Sequence, residues 1–346
     1  MIAPLIVRAD ANARSGIGHL IRSAALAQGW AARGGNAILL ASIEGQTPAA
    51  IAATGVELRR LPAAHPDPAD LPAVLAAARS AGAAYVACDG YHFDAEYTSR
   101  LRAAGLRTLV IDDIADAPRY DADIVLNQNI YAERFTYRAA EGTTFLLGPR
   151  YALLRREFVR RRDWQRPHPE RARRLLVTMG GGGGSEPLMT AIEGLIALGD
   201  ASLDVTVLAG PSTIGGDTAA RAAAQSGLPI TFVSNPADMP GLFAGADMAL
   251  SAGGSTCWEM CFMQLPAVLV TLSDNQSGIT AGLHEAGAAQ HLGWREQVTP
   301  GMIRDAVGGL RDDRARREAM AARGRALVDG LGAERVASAL LESVPA

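Results

Sequence analysis

The sequence predicts an α/β protein built from two doubly wound domains with a cleft between them. Short, nearly continuous apolar runs alternate with longer helical patterns along the whole chain, and such runs indicate parallel sheets buried on both faces. The length of 346 residues favours two domains over one. A basic stretch at 155–169, broken by prolines, separates two such series.

The first series predicts a Rossmann-like domain over residues 1–160. Its strands are predicted from the apolar runs at 5–8, 37–41, 56–61, 85–88, 108–111, 124–126 and 145–147. Its clearest helices are predicted from the periodic patterns at 20–33, 71–81 and 95–104.

The stretch 155–169 is predicted to be a solvated linker, because charged residues and prolines dominate it. The second series predicts another Rossmann-like domain over 161–346. Its strands are predicted at 175–179, 205–208, 230–233, 248–250 and 267–270, with helices between them and helical sequence over 301–343. The last helices could pack back on the first domain.

Composition argues against several classes of partner. Lys and Arg number 33 and Asp and Glu 36, for a net charge of −3, so nothing favours nucleic acid. The start does not have the pattern of a signal peptide, and no apolar run reaches the length of about 18 residues that suggests a membrane span. Three cysteines in so long a chain indicate reduced thiols. We therefore expect a cytoplasmic protein with a small-molecule partner and no membrane span.

A Gly-x-Gly-His motif follows the first predicted strand. Gly16 and Gly18 allow a tight turn into a helix and close approach of backbone N–H groups to a ligand. The motif is not the dinucleotide fingerprint, because position 21 is isoleucine. His19 falls on the first helical turn, where partial positive charge favours the neutral ring, as a general base requires. A turn without function remains the alternative.

A run of five glycines, 180–184, follows the first strand of the second series. Gly180, Gly181 and Gly182 would line an anion pocket with backbone N–H groups at the start of a helix. No lysine follows them, so the loop is not a Walker A motif and suits a diphosphate better than a transferable phosphate. A flexible loop without a ligand remains the alternative.

A third motif lies at the strand–helix junction around Gly254. Ser255 or Thr256 can cap the helix, and Glu259, one turn further on, could accept hydrogen bonds from two ribose hydroxyls. An ordinary surface glutamate is the alternative. Asn275 and Gln276 belong to another polar cluster that follows a predicted strand.

Neither a metal nor any other cofactor is expected. Cys257 and Cys261 share a helix face, but no second ligand pair accompanies them. Asp121 and Asp123 have the Asp-x-Asp spacing of a transferase metal motif, but they precede a predicted strand instead of following one.

Taken together, the motifs resemble those of the UDP-2,4-diacetamido-2,4,6-trideoxy-β-L-altropyranose hydrolases of pseudaminic acid biosynthesis. In chain order they are Arg8-x-Asp10 with Gly16-x-Gly18-His19-x-x-Arg22, Ile111-Asp112-Asp113, Asn127-Gln128-Asn129, Leu147-Gly148-Pro149-Arg150-Tyr151-Ala152-Leu153-Leu154, Ala252-Gly253-Gly254-Ser255-Thr256-x-Trp258-Glu259 and Asp274-Asn275-Gln276. That family is similar to the inverting glycosyltransferases that add N-acetylglucosamine to the peptidoglycan lipid precursor. The resemblance therefore implies a GT-B-like fold, with the sugar at the first domain and UDP at the second.

The resemblance also implies roles for individual residues. His19, Asn275 and Tyr91 match catalytic positions, although the family's Asp-His-Tyr reads Asp-Gly-Tyr-His here, at 89–92. With Gly180, Gly181 and Gly182 added from the glycine run, the residues expected to bind substrate or UDP are Asp10, Gly16, Gly18, Arg22, Gly180, Gly181, Gly182, Gly254, Ser255, Thr256, Glu259 and Gln276.

The implied reaction is hydrolysis at the anomeric carbon. Water attacks C1, UDP leaves, and the free diacetamido sugar is released with inversion. Three alternatives stay open: a glycosyltransferase of the same architecture, a hydrolysing UDP-sugar 2-epimerase of a related nonulosonic acid pathway, and a nucleotide-sugar sensor without enzymatic activity.

Overall fold

The computed structural model describes residues 2–12, 16–180, 186–209, 216–234, 236 and 238–342. The chain divides into two compact units. The first contains Met1–Val159 together with Gly330–Ala346, and the second contains Arg160–Asp329. None of the helices in the described residues is long and apolar enough to cross a lipid bilayer.

Strands and helices alternate along most of the chain, as the sequence predicts. The strands are β1 Leu5–Ala9, β2 Ala37–Ala41, β3 Glu57–Arg60, β4 Tyr85–Asp89, β5 Arg107–Ile111, β6 Ile124–Asn127, β7 Thr144–Leu147, β8 Arg174–Thr178, β9 Asp204–Leu208, β10 Ile230–Val233, β11 Met248–Ala252, β12 Ala267–Thr271 and β13 Gln290–Trp294. The helices are α1 Gly18–Ala32, α2 Ala49–Ala52, α3 Asp70–Ala81, α4 Ala95–Ala103, α5 Arg156–Val159, α6 Glu186–Leu198, α7 Gly216–Ser226, α8 Met239–Gly245, α9 Thr256–Phe262, α10 Asp274–Glu285, α11 Pro300–Asp312, α12 Arg314–Leu327 and α13 Gly332–Glu342. Two 3-10 turns lie at Ala132–Arg134 and Pro149–Tyr151. In the described part of the chain, no helix separates β5 from β6, and three helices follow β13 in succession.

The first unit is built on a parallel sheet. Within the described residues it has seven strands in the order β3-β2-β1-β4-β5-β6-β7. Strand β1 pairs with β2 on one side and β4 on the other, so the direction of winding reverses there. All five residues of β1 are buried, as in a sheet covered on both faces. The seven strands predicted in this part of the chain are confirmed, with ends shifted by a residue or two.

The final helix of the chain belongs to this first unit. Val336, Ala337 and Leu340 of α13 are fully buried in the same apolar cluster as Leu20 of α1. Its start lies so close to the loop after β7 that a Cβ on Gly332 would stand 2.1 Å from the carbonyl oxygen of Ala152. Only glycine permits this approach.

The second unit is built on a second parallel sheet. Within the described residues its strand order is β10-β9-β8-β11-β12-β13, and the winding reverses between β8 and β11. The five strands predicted for this series are confirmed. Strand β13 was not predicted, because its sequence, Gln-His-Leu-Gly-Trp, is not an apolar run. Strand β13 lies at the edge of the sheet, and each of its residues is partly exposed. An apolar sequence is therefore not required there.

The basic stretch at 155–169 spans the boundary between the two units, as the predicted linker should, but it is not solvated throughout. Arg166 is buried and donates hydrogen bonds to the carbonyl oxygens of Phe243, Ala246 and Met263, the last at 3.0 Å. These carbonyls stand at the ends of α8 and α9, where backbone acceptors lack helical partners and partial negative charge accumulates. The guanidinium also stacks on the ring of Trp164, 4.9 Å from its centroid. The buried guanidinium of Arg166 therefore donates its hydrogen bonds to carbonyls at helix ends instead of to water.

Candidate functional site

The predicted catalytic histidine lies at the reversal point of the first sheet. Asp10 directly follows β1, Asp89 ends β4 and Asp113 follows β5, and all three side chains are buried. His19 is the second residue of α1, which starts after the turn that leaves β1. In open α/β sheets, ligands bind beyond the carboxyl ends of the strands at such a point.

His19 and Asp89 form a hydrogen-bonded pair. The Nδ1 atom of His19 lies 2.6 Å from Oδ1 of Asp89. The histidine side chain is 12% exposed, whereas the Asp89 carboxylate is fully buried. The ring of Tyr91 meets the imidazole edge to face, with 5.1 Å between centroids. One ring nitrogen is thus engaged by the carboxylate, and the ring keeps a small accessible surface.

The charge of Asp89 decides which nitrogen of His19 carries the proton between them. Burial would raise the pKa of Asp89, but Arg22 and His19 outweigh that effect and hold its pKa well below the usual range. An ionised carboxylate only accepts hydrogen bonds, so Nδ1 must donate the proton between them. In the neutral ring Nε2 then carries the lone pair, and the Asp89 carboxylate would stabilise an imidazolium.

Asp89 was not identified from the sequence as the partner of His19. The available signal was an aspartate at the end of an otherwise apolar strand, followed by Gly90 and Tyr91. Its pairing with His19 joins positions separated by 70 residues and depends on β4 lying beside β1, which the sequence alone did not establish.

Arg22 joins the two carboxylates behind His19. Its Nε donates to Oδ2 of Asp89 at 2.8 Å, and its Nη2 donates to Oδ1 at 2.6 Å. Its Nη1 donates to both oxygens of Asp113, at 2.7 and 2.8 Å. Arg22 was expected to bind substrate. In the structure it is buried, and these donors are used inside the protein.

Tyr91 is held beside His19 by the same cluster. Its Oη donates to Oδ2 of Asp113 at 2.9 Å, while the residue as a whole is 46% exposed. The preceding Gly90 leaves space for His92, since a Cβ there would lie 2.6 Å from the His92 ring. The Asp-Gly-Tyr-His order therefore still places the tyrosine beside His19.

Asp10 belongs to a second buried ion network next to this site. Its Oδ1 accepts the Ser42 N–H at 2.7 Å, and its Oδ2 lies 3.1 Å from Nε2 of His92. Arg8, fully buried, donates to both oxygens of Asp10 and, through Nε at 3.0 Å, to Asp70. Both Asp10 oxygens thus have partners within the protein.

The glycines before His19 shape the start of α1. Gly16 has φ +65°, in the left-handed region, and its N–H donates to the Asn12 carbonyl at 2.9 Å. Gly18 is the first residue of the helix. The structure thus confirms a tight turn into the helix, and ligand binding by its backbone stays a prediction.

The motif residues after β5 and β6 support the cluster. Asn129 donates from Nδ2 to Oδ1 of Asp113 at 2.8 Å, and Asn127 accepts the Asn129 N–H at 3.0 Å. Gln128 accepts the N–H of Leu153 at 2.9 Å. The Asn-Gln-Asn motif therefore orients Asp113 and ties down the segment that follows β7.

The predicted nucleotide site lies in the second unit, at its own reversal point between β8 and β11. Gly180 has φ +71°, whereas Gly181 and Gly182 lie outside the described residues. Gly254 has open space where a Cβ would stand. Ser255 precedes α9 but makes no capping hydrogen bond through its side chain, and Thr256 is the first helical residue.

Glu259 is only 8% exposed, so it is not the ordinary surface glutamate that was the alternative. At the start of α10, Gln276 accepts the Leu272 N–H at 3.0 Å through Oε1. Asn275 is exposed, and its Oδ1 accepts the Ser273 hydroxyl at 2.7 Å. The roles of these residues toward a ligand stay predictions.

The Asp-x-Asp pair is occupied by contacts within the protein. Asp123 accepts hydrogen bonds from the Thr108 N–H at 2.8 Å and from its hydroxyl at 3.0 Å, and Asp121 pairs with Arg102. Within the described residues, no group of three His, Cys, Asp or Glu side chains is placed to hold a metal ion.

Comparison with known proteins gives the fold a name. No protein-family model and no curated protein sequence matches the chain. Among solved structures, MurG of Acinetobacter baumannii superposes with a TM-score of 0.66 and 16% identity, over 98% of this chain and 99% of that one. UGT2 of Phytolacca americana, complexed with UDP-2-fluoro-glucose and pterostilbene, has a TM-score of 0.66 and 16% identity over 99% and 98% of the two chains. The spinosyn rhamnosyltransferase SpnG, complexed with thymidine diphosphate, has a TM-score of 0.65 and 14% identity over 99% of each chain. The fold is that of the GT-B glycosyltransferases.

Proposed function

We propose that the chain is a nucleotide-sugar enzyme in which His19 and Asp89 deprotonate the nucleophile that attacks the anomeric carbon. The observation that supports this most is the 2.6 Å contact between Nδ1 of His19 and the ionised Asp89, at the reversal point of the sheet. A partly exposed imidazole backed by a buried carboxylate is the arrangement of a general base.

The charges around His19 suit proton uptake. Behind the ring, Arg22 contributes one positive charge, and Asp89 and Asp113 contribute two negative charges. When Nε2 takes the proton of the nucleophile, the group of four side chains becomes neutral. Burial strengthens the attraction between these opposite charges, because few water dipoles screen it.

The proposed reaction inverts the configuration at C1. The nucleophile forms a bond to C1 as the bond from C1 to the diphosphate oxygen breaks, and the electron pair leaves with the nucleotide. In this proposal Glu259 holds the ribose hydroxyls. Backbone N–H groups at the helix starts after β8 and β11 stabilise the diphosphate charge.

An acceptor hydroxyl is the nucleophile that the structural neighbours favour. The three structural neighbours named above are glycosyltransferases, and two of them are complexes with UDP-2-fluoro-glucose and thymidine diphosphate. Transfer from a nucleotide sugar to an acceptor is therefore the first candidate.

Water is the nucleophile that the sequence motifs favour. The set from Arg8-x-Asp10 to Asp274-Asn275-Gln276 resembles hydrolases of a UDP-linked 2,4-diacetamido-2,4,6-trideoxy sugar. Hydrolysis would use the same base and the same leaving group, so the two candidates differ only in the molecule that donates the proton to Nε2.

A panel of UDP-diacetamido sugars and common UDP-sugars, each with and without sugar acceptors, separates these functions. NMR would follow UDP release and the anomer formed, in water enriched in ¹⁸O. Label at C1 of an inverted free sugar supports hydrolysis, and UDP release that requires an acceptor supports transfer. A product inverted at C2 identifies the epimerase, and binding without turnover identifies the sensor. UDP release at an unchanged rate in His19→Asn would contradict the assigned base.

A further inference from the structure

The Asp89 carboxylate, which pairs with His19, is itself held by hydrogen bonds from Arg22 and Ser23. Arg22 contacts Asp89 through two nitrogens, so the carboxylate cannot rotate without breaking a charged hydrogen bond. Oδ2 of Asp89 also accepts the Ser23 hydroxyl at 3.0 Å. Oδ1 is thereby presented to Nδ1 of His19.

Arg22 can also act against the required form of the ring. Its Nη2 lies 3.1 Å from Nδ1 of His19. A guanidinium has only donors, so a hydrogen bond donated across this existing contact would require an unprotonated Nδ1 and place the proton on Nε2. That tautomer has no lone pair on the nitrogen that must act as the base.

Asp113 holds Arg22 in the productive position. Both of its oxygens accept from Nη1 of Arg22, at 2.7 and 2.8 Å, which holds that edge of the guanidinium on Asp113. Asn129 donates to Oδ1 and Tyr91 donates to Oδ2, so Asp113 is itself fixed. Its negative charge also offsets the charge of Arg22 next to an imidazolium.

We infer that Arg22 and Asp113 are positioning residues that set the tautomer of His19 through Asp89. They keep the proton on Nδ1 and the lone pair on Nε2 without touching the reacting atoms. The kinetic part of this inference rests on the proposed function, whereas the tautomer can be measured without any substrate.

The test is ¹⁵N NMR of histidine-labelled full-length protein, in which the two ring nitrogens of each neutral tautomer have distinct shifts. The chain has six histidines, and His19→Asn identifies the signal to follow. We expect the wild type to show a protonated Nδ1 and an unprotonated Nε2. Asp113→Asn should produce a mixture of tautomers, whereas Tyr91→Phe, which keeps the Arg22–Asp113 pair, should retain the wild-type tautomer.

Measurements of kcat and KM distinguish a loss of positioning of His19 from a loss of folded protein. In Asp113→Asn, kcat should fall by about ten- to a hundredfold, by analogy with the loss of a hydrogen-bonding partner behind a metal-bound histidine, with KM nearly unchanged. If that variant does not fold, Arg22→Lys provides the same test, because an ammonium cannot bridge both carboxylates as a guanidinium does. A wild-type tautomer in either folded variant would overturn the inference. If the wild type turns over no nucleotide sugar, the proposed function fails, and the tautomer still decides the inference.

Discussion

At the scale of the residue, two opposing effects act on His19. The positive end of α1 and the carboxylate of Asp89, 2.6 Å from Nδ1, act on the ring with opposite signs. The carboxylate also fixes the orientation of the ring, which suits a base that must return its proton in every cycle. The sequence indicated the first effect, and the structure supplies the second.

We expect His19→Asn to lower kcat by about 10²–10⁴-fold, the usual contribution of a general base, with UDP affinity nearly unchanged. Steady-state kinetics and calorimetric titration of UDP would measure both quantities. Asp89→Asn is the matched variant, because its amide can donate to Nδ1 and favour the wrong tautomer; it should also lower kcat. Near-native turnover in a folded His19→Asn protein would exclude this base.

A second residue-scale prediction concerns Glu259, which is 8% exposed on α9. If its carboxylate accepts ribose hydroxyls, Glu259→Ala should weaken UDP binding by about 1–3 kcal/mol, the range for hydrogen bonds to a charged group. Calorimetry with UDP and with inorganic diphosphate would measure the change. Diphosphate binding should be unaffected, and an equal loss for both ligands would contradict a ribose contact.

The site could be predicted only as far as local sequence determines it. Gly16, Gly18 and His19 lie in one short motif, and the structure places them as a turn and the start of α1. The contacts of Arg22 with Asp89 and Asp113 span 67 and 91 residues. They depend on the order of β1, β4 and β5 in the sheet, which apolar runs alone do not specify.

At the scale of the element, the sequence was sufficient to predict strands that are buried on both faces. It was not sufficient to predict the burial of an arginine in the segment before β8. The spacing of apolar residues along the sequence indicates which positions are buried. Strands β1 and β11 are buried at every position, so each is a clear apolar run. A run of arginines usually indicates solvent. Here Arg166 is buried at the ends of α8 and α9, and Arg317 is buried against the carbonyls of Leu310 and Arg311 at the end of α11.

We expect Arg166→Met to lower the free energy of unfolding of the second unit by at least about 2 kcal/mol. The substitution leaves buried helix-end carbonyls without donors, and each such acceptor costs about 1–3 kcal/mol. Urea denaturation monitored by circular dichroism would measure the loss. Arg160→Met is the control, because Arg160 is exposed in the same basic stretch. Equal stabilities of the two variants would show that the helix-end contacts contribute nothing.

At the scale of the whole molecule, the first unit is discontinuous in sequence. The core of Met1–Val159 is completed by Val336, Ala337 and Leu340 of α13, all fully buried. The second unit, Arg160–Asp329, has its own sheet and apolar cluster. The two units should therefore differ in their ability to fold alone.

We expect a fragment 160–329 to unfold cooperatively on heating and a fragment 1–159 to show no cooperative transition. Calorimetry of both fragments would test this. In the full chain, Leu340→Ala should destabilise the first unit by about 2–5 kcal/mol, the cost of truncating a buried leucine, whereas Glu342→Ala, at an exposed position, should not. A stable fragment 1–159 would mean that α13 is dispensable for the fold.

Activity of the whole molecule should not require a metal. The proposed stabilisation of the diphosphate comes from backbone N–H groups at helix starts, and Asp121 and Asp123 are committed to Arg102 and Thr108. We expect turnover to be unchanged after exhaustive treatment with EDTA. Loss of turnover that Mg²⁺ or Mn²⁺ restores would contradict this mechanism.

The late position of α13 in the chain has a consequence for protein synthesis. Domains usually fold from the N-terminus as the ribosome releases them, at about 5–20 residues per second. Here Met1–Val159 lack Val336, Ala337 and Leu340 until residues 160–340 have also been translated. The second unit should acquire its native structure first, while the nascent N-terminal part still exposes the apolar surface of α1 that α13 will cover. Ribosome-bound chains arrested before residue 332 should therefore bind holdase chaperones through their first 159 residues, and release them once α13 has emerged.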